Sequence, residues 1–238
     1  MEILKVKDVS KSYKGQKALD RVSFNLESGQ VVGLLGPNGS GKTSLLKIIA
    51  NITRTYDGLI EIEGKNPSVE TKKIVSYLPD RPFLDPNLTV NQTKDLFADF
   101  YQDFDQAKFD KLIREMDLDP NAKILKLSKG MAEKLNLSLI LSRAARLYVI
   151  DEPIAGVDPV ARDQILDTLI SNMAENSTML ITTHLVHDIE RIFDRVIMLD
   201  KGHIILDDSV EKLREKYKMS IEDVYKKIFA HEFVPVNE

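Results

Sequence analysis

The chain has 238 residues, with 33 Lys or Arg against 37 Asp or Glu, a net charge of −4. A hydrophobic content of 43% with 29% charged residues excludes wholesale disorder, collagen-like repeats and a membrane-embedded fold, and the length suits one large domain or a domain carrying an insertion. No run reaches the roughly 18 apolar residues of a spanning helix, no cysteine offers a disulfide or thiolate metal site, no secretory pattern opens the chain, and the mild acidity argues against a nucleic-acid binder.

In chain order, residues 1–30 alternate apolar and polar positions in two runs. Ile3, Val6 and Val9 mark the first, and Val22, Phe24 and Leu26 the second, which predicts two antiparallel, half-exposed strands. Gln30 to Gly36 is almost continuously apolar, as in a strand buried on both faces. A glycine-rich turn and a helical pattern at Leu45, Leu46 and Ile49 follow it. Further strands are expected near Leu59–Ile62 and Ile74–Leu78. Pro79, Pro82 and Pro86 then predict a linker, since a proline cluster continues neither a helix nor a central strand.

From Thr89 to Ala145 the pattern is helical. Thr89 caps a helix through Leu96, Phe97 and Phe100, a second runs through Phe109, Leu112, Ile113 and Met116, and a third begins at Ser128. Strands return at Leu147–Ile150, Met179–Thr182 and Val196–Leu199. Between them lie helical stripes at Ile165, Leu166, Leu169, Ile170 and Met173, and at Ile189, Ile192 and Phe193. Strands alternating with helices predict a mostly parallel sheet covered on both faces, with the middle helical segment inserted into that α/β core. A last amphipathic pattern from Ser220 (Ile221, Val224, Tyr225, Ile228, Phe229) predicts a helix. It packs either on its own domain or on a partner subunit.

Gly36-Pro37-Asn38-Gly39-Ser40-Gly41-Lys42-Thr43 matches G-x-x-x-x-G-K-[ST] between a buried strand and a helix, the context this motif requires. The glycines let backbone N–H groups converge into a nest that, with the positive end of the following helix, holds phosphate oxygens. Lys42 adds a full charge, and Thr43 offers a hydroxyl to Mg²⁺. Leu147-Tyr148-Val149-Ile150-Asp151-Glu152 is an apolar strand ending in two acids. At the carboxyl end of a parallel strand these face the ligand crevice, Asp151 supporting Mg²⁺ and Glu152 orienting or deprotonating an attacking water. His184 ends another strand on the same side and is placed to hold the γ-phosphate and the geometry of Glu152. His184 and His187 together suggest zinc, but with no cysteine and no further clustered histidine a structural metal is rejected.

Five motifs in order, these residues among them, resemble the ATP-binding subunit of an ABC transporter over nearly the whole length. GPNGSGKT resembles the Walker A loop, with Ser44 beside it. LYVIDEP resembles the Walker B strand, Leu127 to Met131 (LSKGM) the family signature, Ile154 to Asp158 the D-loop, and Thr183-His184 the switch histidine. Tyr13 stands where the family stacks an aromatic on adenine. The resemblance implies a P-loop NTPase core with a mostly parallel sheet, an N-terminal antiparallel β subdomain and an inserted α-helical subdomain. Residues 1–84 and 146–205 would form the core, 85–145 the signature subdomain and 206–238 a helical tail.

It also implies ATP and Mg²⁺ as ligands. A head-to-tail pair with a second ATP-binding subunit, identical or different, would then take Lys42 and Glu152 from one chain and Ser128, Gly130 and Asp158 from the other. Separate membrane permease subunits would place the chain peripherally on the inner face of the cell membrane. Asp80 replaces the family's Q-loop glutamine, so an altered Mg²⁺ environment is expected there. Lys129 and Met131 replace the usual Gly and Gln of the signature. LSKGM and the tail resemble exporter-type relatives, so export is the expected direction. The other readings are a soluble ABC-type ATPase without a transport role and a nucleotide sensor without turnover, the latter opposed by Glu152.

Overall fold

The computed structural model describes residues 1–174 and 176–230. The two alternating runs are β1 (Glu2–Tyr13) and β2 (Gln16–Glu27), paired antiparallel with Leu4 opposite Leu26, Val6 opposite Phe24 and Val9 opposite Val22. The pairing sets apolar residues side by side on one face, which is what specifies the register. The buried run is β3 (Val31–Leu35), followed by α1 (Lys42–Ile49) and β4 (Asp57–Ile62). A short α2 (Val69–Lys72), capped by Ser68, precedes β5 (Val75–Leu78). Residues 79–86 carry no helix or strand, as the prolines dictate.

The helical segment holds α3 (Val90–Phe100), α4 (Gln106–Glu115) and α5 (Lys129–Leu141). Thr89 and Gln92 form a reciprocal capping box on α3, and Ser128 caps α5. Then come β6 (Leu147–Asp151), α6 (Pro159–Ser171), β7 (Thr178–Thr183), α7 (Val186–Ile189), β8 (Arg195–Asp200), β9 (His203–Ser209), α8 (Val210–Tyr217) and α9 (Ile221–Phe229).

β2, β1 and β4, in that order, make an antiparallel sheet. The central sheet runs β5-β6-β7-β3-β8-β9, parallel except for the β8–β9 pair. One apolar cluster fills the space between the two sheets around α1. A second covers the far face of the central sheet with α5, α6, α7 and α9, and a third joins α3, α4 and α5. The architecture is therefore the expected P-loop core with an N-terminal antiparallel sheet and an inserted helical unit.

Three elements differ from expectation. The stripe Ile189, Ile192, Phe193 is not one helix: α7 gives way to a 3-10 turn at Glu190–Ile192, and Phe193 beyond it is extended. The edge strand β9 was not foreseen, and helix α8 falls within the expected helical tail without having been marked there as a separate element. β9 returns through a two-residue turn in which Lys201 and Gly202 both hold positive φ, 45° and 83°, the twist that a tight hairpin needs. Residue 206, where the tail was expected to begin, lies inside β9. The last eight residues of that tail lie outside the described residues. α9 packs on its own domain, burying Ile221, Val224 and Ile228 with Val186 and Ile189.

Candidate active site

Strand order assembles the site. β6, β7 and β3 are neighbours, with Asp151 opposite Thr182, Thr182 opposite Leu34 and Thr183 opposite Leu35. The phosphate loop, the acid pair and His184 therefore leave the same edge of the sheet side by side.

The loop from Gly36 to Thr43 is shaped by close backbone approaches. A β-carbon on Gly36 would lie 2.2 Å from the Leu199 carbonyl oxygen, and one on Gly41, at φ +113°, would lie 2.3 Å from the Ala18 carbonyl. Gly41 caps α1 with no side-chain hydrogen bond, so the first N–H groups of that helix are open to an anion. Pro37, Asn38, Gly39 and Ser40 complete the turn, held by Ser40 N–H donating to the Pro37 carbonyl (3.2 Å) and Gly202 N–H donating to the Ser40 carbonyl (2.9 Å). The Ser40 hydroxyl is buried and finds no partner among the described residues. Lys42 is buried and donates from Nζ to the carbonyls of Gly36 (2.7 Å) and Pro37 (3.1 Å). Burial pushes its ammonium below the ordinary lysine range, and the charges of Glu152 and Asp151 draw it back up. Thr43 and Ser44 lie on the first turn of α1.

Asp151 ends a strand buried at every position. Its Oδ1 accepts from the Thr182 hydroxyl, while Oδ2 is buried and has no partner among the described residues. Burial raises its carboxyl above the ordinary range. The hydroxyls of Thr182, bonded to it, and of Thr43, close by, pull it down, and the charges of Asp80 and Glu152 push it up. Glu152 holds φ +54°, a left-handed conformation uncommon for a residue other than glycine. Its N–H is held by the Thr182 carbonyl and hydroxyl, both at 3.1 Å. Its Oε2 lies 2.8 Å from His184 Nδ1 and accepts from the His184 backbone N–H at 3.3 Å.

Thr182 thus fixes both acids. Sequence reasoning placed it only in a strand, although the paired threonines Thr182-Thr183 ending a buried run were the available signal. Asp80 is exposed on the linker after β5, near enough for its charge to act on Asp151 and on Tyr77. The Tyr77 hydroxyl is buried without a partner among the described residues, and burial holds its pKa above the ordinary tyrosine range. Tyr13 is 45% exposed at the end of β1, with Lys11 Nζ 4.9 Å from its ring centre.

Ser128 and Gly130 are not drawn to the phosphate loop of their own chain by any hydrogen bond among the described residues. Ser128 is exposed and accepts from Met131 N–H (3.2 Å), and a β-carbon on Gly130 would lie 3.7 Å from Asp158 Oδ2. Asp158 itself caps α6, accepting from Ala161 N–H at 3.0 Å.

The profile of the ABC transporter family matches residues 19–155. The ABC transporter ATP-binding protein YtrB of Bacillus subtilis is 35% identical over 223 residues, spanning 90% of this chain and 75% of that protein. The Nod factor export ATP-binding protein I of Burkholderia lata is 32% identical over 221 residues, 88% of this chain and 71% of that one. A solved ATP-binding subunit of an ABC transporter superposes with a TM-score of 0.85 at 28% identity, covering 95% of this chain and 99% of the other. Glycine cradle, buried acid and strand-end glutamate sit on a fold made for nucleotide triphosphates. The chain belongs to the ABC transporter family, as an ATP-binding subunit that hydrolyses ATP.

Proposed function

We propose that the chain powers export through separate membrane permease subunits, working as one of a head-to-tail pair with two ATP molecules held between the copies. The observation that carries this reading is the carboxylate of Glu152 tied to His184 at the strand edge where the phosphate loop also emerges.

In each composite site, backbone N–H groups from Gly36 to Thr43 and the Lys42 ammonium hold the β- and γ-phosphates, and Tyr13 stacks on adenine. The exposed Ser128, with Gly130 and Asp158, serves the site of the neighbouring copy. Thr43, Asp151 and Asp80 fit a Mg²⁺ ion, because Asp151 keeps a buried oxygen without a partner beside the Thr43 hydroxyl. Such an ion would neutralise charge on the phosphate oxygens. Glu152 accepts a proton from water as the water oxygen attacks the γ-phosphorus and the bridging oxygen leaves with ADP, while His184 fixes the Glu152 carboxylate.

Residues 1–84 and 146–209 carry the nucleotide half and 85–145 the signature half. We start the tail at Val210, since β9 extends the central sheet. No helix among the described residues is long and apolar enough to cross a membrane, so the path for cargo belongs to the permeases, on the inner face of which the chain docks. Export is favoured because relatives such as the Nod factor protein are named for it.

The test is Glu152→Gln in the purified full chain. Phosphate release should fall by about 10²- to 10⁴-fold, the usual contribution of a general base. Sedimentation should show a dimer that persists only with MgATP. Hydrolysis at the wild-type rate would remove Glu152 from its role, and a monomer in saturating MgATP would remove the pair.

A further inference from the structure

Glu152 and His184 follow the ends of neighbouring strands, and their 2.8 Å contact depends on the backbone that leaves each of them. After Glu152 the chain makes tight turns. Ala155 N–H donates to the Glu152 carbonyl (3.2 Å), Val157 N–H donates to the Ile154 carbonyl (3.3 Å), and the side chains of Ile154 and Val157 are buried. After His184, Leu185 N–H donates to the Thr183 hydroxyl (2.9 Å) and α7 begins, with Val186 and Ile189 buried. A helix as short as α7 has too few backbone bonds to hold itself, so its place is set by its neighbours.

The side chain of Arg162 reaches both segments. It donates from Nε to the Val157 carbonyl (2.8 Å) and from Nη1 to Asp188 Oδ2 on α7 (2.6 Å). Its own backbone is fixed where α6 begins: Arg162 N–H donates to the Asp158 carbonyl (3.0 Å), and the Asp158 side chain caps the same helix. A planar fork with donors in two directions can serve two acceptors at once, which a lysine ammonium on a flexible stem does poorly. The side chains of Arg162 and Asp188 are 24% and 31% exposed, sheltered enough for a charged hydrogen bond to count. Arg191 also pairs across to α6, with Asp163 and Asp167 at 3.2 Å each, but all three of those side chains are at least half exposed and solvent leaves such pairs little to contribute.

We infer that Arg162 is a positioning residue: it ties the loop after Glu152 to the helix after His184, and so keeps the Glu152 carboxylate and the His184 ring aligned. The inference rests on the reading of Glu152 given above and deepens it. Because Arg162 acts through that pair, it governs turnover rather than nucleotide affinity.

The experiment uses the purified full chain and MgATP. Arg162→Met, Asp188→Ala and the double variant are each made in the wild-type chain and in Glu152→Gln. Arg162→Met should lower kcat about tenfold with KM within about twofold. Binding of a fluorescent ATP analogue should stay near wild type. Asp188→Ala should lose less, about three- to fivefold, since the bond to Val157 remains, and the double variant should match Arg162→Met within about twofold, because that change already breaks both bonds. In Glu152→Gln, adding Arg162→Met should change the residual rate by less than about twofold, since the carboxylate it aligns is gone. A general defect of the scaffold would instead lower the residual rate and the binding of the analogue. A wild-type kcat in Arg162→Met, a loss that appears in KM, or a further tenfold fall in Glu152→Gln would overturn the inference. If Arg162→Met does not fold, Asp188→Ala carries the same comparison, and a wild-type kcat there overturns the inference equally. Wild-type turnover in Glu152→Gln alone would remove the reading of Glu152 and this inference with it, whereas an inactive Glu152→Gln beside a fully active Arg162→Met would remove the inference only.

Discussion

Asp151 shows how a single buried carboxylate serves a site at the expense of the fold around it. Its carboxyl is raised above its ordinary value of 3.8 by burial. The folded chain therefore binds that proton more tightly than the unfolded chain, and stability is lost as pH rises from about that value through the folded one. At neutral pH the ionised group is a cost until a cation arrives. Asp151→Asn keeps an acceptor for Thr182 and removes the charge. We expect the nucleotide-free midpoint at pH 7 to rise by about 2–4 °C, and the extra stabilisation by MgATP to vanish. A lower midpoint in differential scanning would refute this account. Asp80 is the exposed counterpart. Asp80→Gln should raise the Mg²⁺ concentration needed for half-maximal stabilisation by ATP about two- to fivefold, the modest size expected of a solvated charge. An unchanged titration would remove Asp80 from the cation site.

At the scale of elements, Arg143 holds the inserted helical unit to the central sheet. It follows α5, is 3% exposed, and donates to the carbonyls of Val75 (2.7 Å), Lys73 (2.8 Å) and Lys72 (3.3 Å). It also grips Asp103 through two bonds of 3.1 Å and lies 4.0 Å from the Tyr101 ring centre. Arg143→Met strands Asp103 and three carbonyls, and should cost about 3–5 kcal/mol in urea unfolding. A loss below about 1 kcal/mol would mean that the junction is held by apolar packing alone. Where element boundaries were legible in the sequence, the reason is local chemistry: Thr89 and Ser128 cap helices with their own hydroxyls. The edge strand β9 was overlooked although Lys201-Gly202 marks its turn. The stripe at Ile189 was helical in spacing, but the α-helix stops at Ile189 and only a 3-10 turn carries Ile192 before Phe193 goes extended into β8.

Across the whole molecule, an apolar groove of about 460 Å³ opens at the seam between core and helical unit, lined by Ile52, Phe83, Leu96, Phe97 and Phe100 among others. Phe100 is 75% exposed and Phe83 40%, an unusual display for large apolar side chains. We assign this groove to the permease contact. A Phe83→Ser/Phe100→Ser variant should keep ATPase activity of the purified chain within about twofold, since neither residue is among those assigned to hold nucleotide or cation. In the native cell the same variant should leave the membrane fraction for the soluble one; retention on membranes would sink the assignment.

Whatever chemistry lies within a few neighbouring residues could be read from the sequence alone. The nest of Gly36 to Thr43, the acids closing an apolar strand and the caps of the helices each depend on local spacing. What only the tertiary structure decided is which of these meet. The order β6-β7-β3 sets Asp151, His184 and Lys42 on one edge, places Thr182 under both acids, and brings Arg162 to Asp188. Such meetings depend on strand pairing and packing between residues far apart in the chain, and no local pattern of side chains encodes them.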